Sequence, residues 1–184
     1  MTHTEALAFL TAAGPFHGTW VDVGAGTGTF SLALAELLGP TGNVIAIDTN
    51  ERALRQLSTN AGRTGATHAP VSTVHADMHD LSAIADLAAG GIDGFLFANA
   101  LHFTPTPDTV LTQAVKLLKP DGRIVVIEYD RRQANPWVPH PLPLGRLAEV
   151  ARYAGLTAPR EIARRPSAYH REMYLAVLQR RDNA

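Results

Sequence analysis

Short apolar runs alternate along the chain with segments whose apolar residues recur every three or four positions. That alternation predicts strands and helices in turn, and so a mostly parallel sheet covered by helices. Thr19–Val23 ("TWVDV") reads as a first strand, and Thr27 or Gly28 to Leu38 as a helix with Phe30, Leu34, Leu37 and Leu38 on one face. "GPTGN" breaks the chain before a second strand, Val44–Asp48. Asn50 is placed to cap a helix over Glu51–Asn60. A third strand follows over Val71–Asp77, a short helix over Leu81–Ala89, and a fourth strand within "IDGFLFANAL". Pro107 and Asp108 open a helix that "KPDG" closes at Leu118, and Arg123–Asp130 is a fifth strand.

The rhythm then changes. "RRQANPWVPHPLP", residues 131–143, carries four prolines and reads as a loop able to fold over a neighbouring pocket. Leu144–Ala154 is a helix stopped by Gly155, and "PREIAR" and "EMYLAVLQRR" are two last strands. Their link is too short for a helical crossover, so they are expected to pair antiparallel. Ahead of the first strand, residues 1–18 hold a short helix without the basic, long-apolar signature of a signal peptide. With no linker and no repeat, residues 1–184 read as one domain.

Composition narrows the chemistry. The net charge of −1 gives no support to bulk nucleic-acid or membrane-surface binding, although Arg131, Arg132, Arg164 and Arg165 are candidates for a local basic patch. Zero cysteines exclude disulfides, thiolate catalysis and cysteine-held zinc. No stretch is long enough to span a bilayer as a helix, and the expectation is a soluble, cytoplasmic protein. Eight histidines raise a metal site, but their spacing matches no ligand pattern: His75 and His79 flank Asp77 at a strand end, and no metal is expected.

The densest chemistry lies at Val21–Phe30, "VDVGAGTGTF". A glycine turn between strand and helix sets backbone N–H groups at a helix N-terminus, where negative charge is favoured, and lets a ligand press on the main chain. A flexible tight turn is the plainer alternative. A P-loop would need Lys then Ser or Thr after the last glycine, and Gly28 is followed by Thr29 and Phe30. The third glycine comes one residue too early for the dinucleotide fingerprint, while Asp48 stands about where a ribose-binding acid belongs. Glycine turn plus second-strand acid indicates a nucleoside, and the spacing argues against a nicotinamide dinucleotide.

"VDVGAGTGTFSLALAE", "VIAIDTN", "HADMHDL", "IDGFLFANALHF" and "LKPDGRIVVIEYD" resemble, in order, the successive motifs of the class I S-adenosylmethionine-dependent methyltransferases. The resemblance runs from about Trp20 to Asp130, and the closing strand pair matches that family's reversed last strand. It implies an α/β, Rossmann-like three-layer sandwich whose seven-stranded sheet has the order 3-2-1-4-5-7-6 with strand 7 antiparallel. It also implies S-adenosyl-L-methionine as cofactor and S-adenosyl-L-homocysteine as product. Gly24, Ala25, Gly26 and Gly28 would pass under the methionine part. Asp22 would hold the amino-acid end, its alternative being bonds to the N–H groups of the turn. Asp48 would bind the ribose hydroxyls, with Thr49 and Asn50 lining the adenosine. Asp77, alternatively a cap for the segment after it, would accept from the adenine amino group, and Met78 would donate its backbone N–H to the ring. Asn99 would offer its carbonyl to the methionine ammonium.

For catalysis the candidates are His102, as a general base or as a packing residue that orients its loop, and Tyr129, at the end of the fifth strand beside Glu128 and Asp130. Trp137 and His140 lie in the proline-rich loop; Tyr169 and His170, in the last turn, receive no role. The fourth strand ends "ANALHF", without the "NPPY"-type signature of amino-group methylation of nucleic acid or protein, which favours a small-molecule acceptor. The short stretch before the first strand leaves an open site that a larger acceptor, or a partner chain in a homodimer, would complete. The competing readings are a nicotinamide-dependent oxidoreductase and a non-catalytic module that only binds S-adenosylmethionine.

Overall fold

Strands buried on both faces need apolar side chains at consecutive positions, and the computed structural model gathers the apolar runs into one sheet. It describes residues 1–131, 133–166 and 172–181, so Arg132, Tyr169 and His170 lie outside the described residues. Helix α1 (His3–Thr11) leads into β1 (Thr19–Val23), α2 (Thr29–Leu38), β2 (Asn43–Asp48), α3 (Glu51–Ala61) and β3 (Val71–His75). The chain continues through β4 (Ile92–Ala98), α4 (Pro107–Leu117), β5 (Leu118–Tyr129), α5 (Leu144–Tyr153), β6 (Arg160–Pro166) and β7 (Glu172–Gln179). The sheet order is β3-β2-β1-β4-β5-β7-β6. Strands β1 to β5 pair in parallel, and β7 runs antiparallel to both β5 and β6.

The pleat deals successive residues to opposite layers. Ile124 and Val126 of β5 join Phe95, Phe97, Tyr174 and Leu147 beneath α4 and α5, while Val125 and Ile127 join Trp20, Leu96, Leu34 and Leu10 beneath α1 and α2. Helix α3 lies on the α2 side, with Leu54 and Leu57 over Ala46. Its start is fixed by Asn50, whose side chain accepts from Ala53 N. Thr2 and Glu5 form a reciprocal capping box at the start of α1. Gly94 in β4 makes room for the Trp20 indole, since a Cβ there would stand 2.5 Å from the ring.

Most boundaries shift by one or two residues, and three of the differences have a visible physical cause. Strand β3 stops at His75 rather than Asp77, because an edge strand ends with its single neighbour: His75 is opposite Asp48, the last residue of β2. The helix expected over Leu81–Ala89 is one 3-10 turn, Leu81–Ile84; Leu81, Ile84 and Ala88 are buried, while Leu87 faces solvent. "KPDG" does not separate helix from strand. Leu118 is already opposite Ile92, residues 119–122 fall out of register, and Arg123 resumes opposite Gly94.

Candidate active site

The strand order reverses between β1 and β4, so their C-terminal ends part and leave a crevice where open parallel sheets bind ligands. Three cavities meet there. One, about 360 Å³, is lined by Gly24, Asp48, Thr49, Ala76, Asp77, Met78, His79 and Phe103. A second, about 260 Å³, runs along the glycine turn from Asp22 and Gly24 to Thr27, Thr29 and Phe30. A third, about 240 Å³, is bounded by His102, Phe103, Tyr129, Arg131, Asn135, Trp137 and Val138. Asn99 lines all three. It takes a left-handed backbone (φ 55°) rare for a side chain other than glycine, and its Oδ1 is buried with no hydrogen-bond partner among the described residues.

The three glycines answer three different needs. A Cβ on Gly24 would stand 2.8 Å from the Ala100 methyl, so the turn and the end of β4 could not approach. Gly28 is the left-handed N-cap of α2 (φ 92°), and a Cβ there would be 2.1 Å from Leu57 of α3. Gly28 is therefore bare for helix packing. Gly26 (φ +53°) has nothing within 4 Å of its missing Cβ, and it is the one whose bareness faces open space beside the crevice.

The glycine-turn amides are committed within the protein. Gly24 N and Ala25 N both donate to Ile47 O, Gly26 N donates to Asp48 Oδ2 at 2.8 Å, and Gly28 N donates to Ala25 O. These four N–H groups are already satisfied, whereas the first amides of α2, from Thr29, carry no side-chain cap. The formally charged side chains lining the two clefts are carboxylates, Asp22, Asp48 and Asp77, beside the His79 imidazole. Such a field favours a cation over a phosphate.

Each carboxylate has its own environment. Asp48 also accepts from Asn50 N at 2.7 Å, so it staples the turn to the start of α3 and keeps one further lone pair on each oxygen. Asp22 is 1% exposed and accepts from Ser31 Oγ at 2.6 Å, not from the turn amides. Burial pushes its carboxyl up to about 7 against the pull of the Ser31 bond, with the nearby Asp48 charge adding to the rise. Asp77 turns Oδ1 to the backbone N and ring Nδ1 of His79, which hold it below its ordinary value, while His79 Nε2 lies 2.8 Å from Thr104 Oγ1. Thr49 and Met78 line the first cleft, whereas Asn50 is exposed and caps α3.

At the third cavity His102 is buried, and its Nδ1 lies 2.7 Å from Glu128 Oε2. Glu128, 0% exposed on β5, also accepts from His102 N. With Nδ1 turned to Glu128, Nε2 is the ring nitrogen left for another partner. Glu128 thus joins the site as the partner of His102; the two are 26 positions apart, and no local pattern links them. Asp130 points elsewhere, accepting from Arg164 at 2.6 Å and from Leu144 N at the start of α5. The proline-rich loop crosses the cavity. His140 N donates to His102 O, and Asn135 Oδ1 accepts from Trp137 N and Val138 N, which turns that stretch back on itself. Asn135 and Val138 carry no motif the sequence could have offered, Phe103 closes the fourth-strand motif without a role assigned to it, and Arg131 is a candidate there only for a basic patch. Among the described residues no group of three or more His, Asp or Glu is placed to hold a metal, and no helix is long and apolar enough to cross a membrane.

Residues 17–173 match a family model described as a methyltransferase domain. An arsenite methyltransferase of Aquipseudomonas alcaligenes is 33% identical over 121 residues, 62% of this chain and 34% of that protein. A demethylmenaquinone methyltransferase of Lactobacillus johnsonii is 30% identical over 108 residues, 59% of this chain and 42% of that protein. The match therefore spans well under half the length of these relatives. Among solved structures, the 1,6-didemethyltoxoflavin-N1-methyltransferase of Burkholderia thailandensis, with its substrate and S-adenosylhomocysteine bound, aligns with a TM-score of 0.73. At 24% identity, over 98% of this chain and 78% of that one, this is a likeness of fold.

Proposed function

The chain belongs to the methyltransferase-domain family that its residues 17–173 match, and from that premise we propose that it moves the methyl group of S-adenosylmethionine to a small-molecule acceptor seated beside His102. When bound, S-adenosylmethionine supplies an electrophilic methyl and keeps the C–S electron pair as it leaves as S-adenosylhomocysteine, so the acceptor contributes the pair of the new bond and any proton it loses passes to a base.

The observation that carries the reading is electrostatic. Gly24, Ala25, Gly26 and Gly28 have spent their amides internally, and Asp22, Asp48 and Asp77 line the clefts, which suits a sulfonium amino acid better than the pyrophosphate of a nicotinamide cofactor. The free lone pairs of Asp48 accept from the ribose hydroxyls. Asp22 and the unpartnered Asn99 Oδ1 face the ammonium, the open space above Gly26 admits the methionine chain, and Asp77 with Met78 reads the adenine. The Asp48 carboxylate contributes about 1.5–3 kcal/mol through charge-assisted bonds. Asp48→Ala is expected to weaken S-adenosylhomocysteine binding by about 10–100-fold in calorimetry; an unchanged affinity removes the ribose assignment.

His102 is the proton acceptor and Glu128 its positioning residue, which speaks against a module that only binds. Tyr129, whose ring lies 5.9 Å from the His102 ring, walls the acceptor. With His102→Gln, kcat is expected to fall about 100-fold or more while S-adenosylhomocysteine affinity holds; an unchanged kcat denies the base. Relatives named for arsenite and for demethylmenaquinone bracket the acceptor without identifying it. Trivalent arsenic is a soft, thiol-seeking centre, and these 184 residues contain no cysteine to hold it. An organic acceptor fits better.

A further inference from the structure

The third cavity contains a cation that no described residue neutralises. Arg131 Nε is buried without a hydrogen-bond partner among the described residues, and its side chain lines the cavity. Nearby carboxylates are spoken for. Asp130, the preceding residue, is taken by Arg164, which also binds Glu161 and Glu172, and Glu128 is taken by His102. Leaving a guanidinium half-buried and unpaired is costly unless a ligand brings the missing charge.

The walls add a second constraint. Phe103 and Trp137 line the cavity yet are 58% and 78% exposed, so their ring faces stand against solvent where a flat ligand would cover them. The His102 ring adds a third aromatic surface, 4.3 Å from the Phe103 centroid. Size sets the scale: a cavity of roughly 150 Å³ already admits benzene, and this one is about 240 Å³.

We propose that the acceptor is a hydroxylated aromatic carboxylate, its carboxylate on Arg131, its ring between Phe103 and Trp137, and its hydroxyl donating to His102 Nε2. This rests on the methyltransferase reading above, in which His102 borders the acceptor. One cationic fork suits one carboxylate, and a proton-accepting imidazole lining the same cavity suits a phenolic or enolic hydroxyl.

The test uses the full chain saturated with S-adenosylhomocysteine and three probes: 4-hydroxybenzoate, 4-hydroxycinnamate and 3-hydroxy-2-naphthoate, each beside its primary amide. Calorimetry gives affinity. Quenching of Trp137 emission gives location, with Trp137→Phe as control because Trp20 is buried. At least one acid is expected to bind about 10–100-fold more tightly than its amide. Arg131→Gln should erase that difference and leave S-adenosylhomocysteine affinity unchanged, and Arg131→Lys should keep part of it. Failure of all three acids to bind, equal binding of acids and amides, or a preference that survives Arg131→Gln overturns the proposal while the cofactor reading stands. Failure of S-adenosylhomocysteine itself to bind brings down the underlying reading and this one together.

Discussion

Asp22 is a carboxylic acid kept inside a strand where water cannot reach it. In the folded chain it holds its proton until about pH 7, whereas the unfolded value is 3.8. Between those limits the folded state carries the extra proton, so this group's contribution makes stability fall as pH rises from about 4 to about 7 and level off above that. Asp22→Asn removes the penalty. Its melting temperature is expected to exceed the parent's at pH 8 and to match it near pH 4, and scanning calorimetry at both values checks this. The same change should weaken cofactor binding, because an ammonium pairs with the ionised form. In the parent, affinity for S-adenosylhomocysteine should rise through pH 7 with release of a proton, measurable as a buffer-dependent binding enthalpy; Asp22→Asn should show neither effect.

The glycine turn separates two roles that a motif merges. Gly28→Ala places a methyl against Leu57 in a left-handed backbone, for which a loss of about 1–3 kcal/mol is expected in denaturant melts, with cofactor affinity of the folded protein nearly intact. Gly26→Ala meets no protein atom; its cost is the backbone preference, about 1–2 kcal/mol, and its methyl enters the crevice, so affinity is expected to fall the more. Equal affinities in the two variants would mean that the turn is bare for packing alone. The turn, the acids at Asp48 and Asp77 and the central strands around them were legible in the sequence, because burial on both faces writes β2 and β4 as apolar runs and the candidate side chains sit at or just beyond strand ends. Which atom accepts from each amide was not legible: Ile47 O and Asp48 Oδ2 reach the turn from another strand, and no spacing encodes that. The acceptor cavity was equally hidden, since Phe103, Arg131 and Val138 come from connections without period, and the His102–Glu128 pair forms only when β4 and β5 lie side by side.

At the scale of the molecule, a site shared by β1, β2 and β4 ties cofactor binding to the integrity of the whole sheet. Ligand at about 100 times its dissociation constant adds about 2.7 kcal/mol, and for a chain of 184 residues each kcal/mol moves the melting temperature by about 2–4 °C. S-adenosylhomocysteine is therefore expected to raise it by about 5–10 °C. NAD should leave it unmoved, and a shift with NAD alone would select the oxidoreductase reading instead.

Strand β7 sits between β5 and β6, although it follows both in the chain. On the ribosome, a nascent chain that has emerged only as far as β6 has no neighbour for that strand and presents β5 as a long, open edge of valine and isoleucine. Translation must run past Gln179 before the edge is sealed, so arrest or premature termination within the β7 codons would release a chain with its stickiest backbone uncovered.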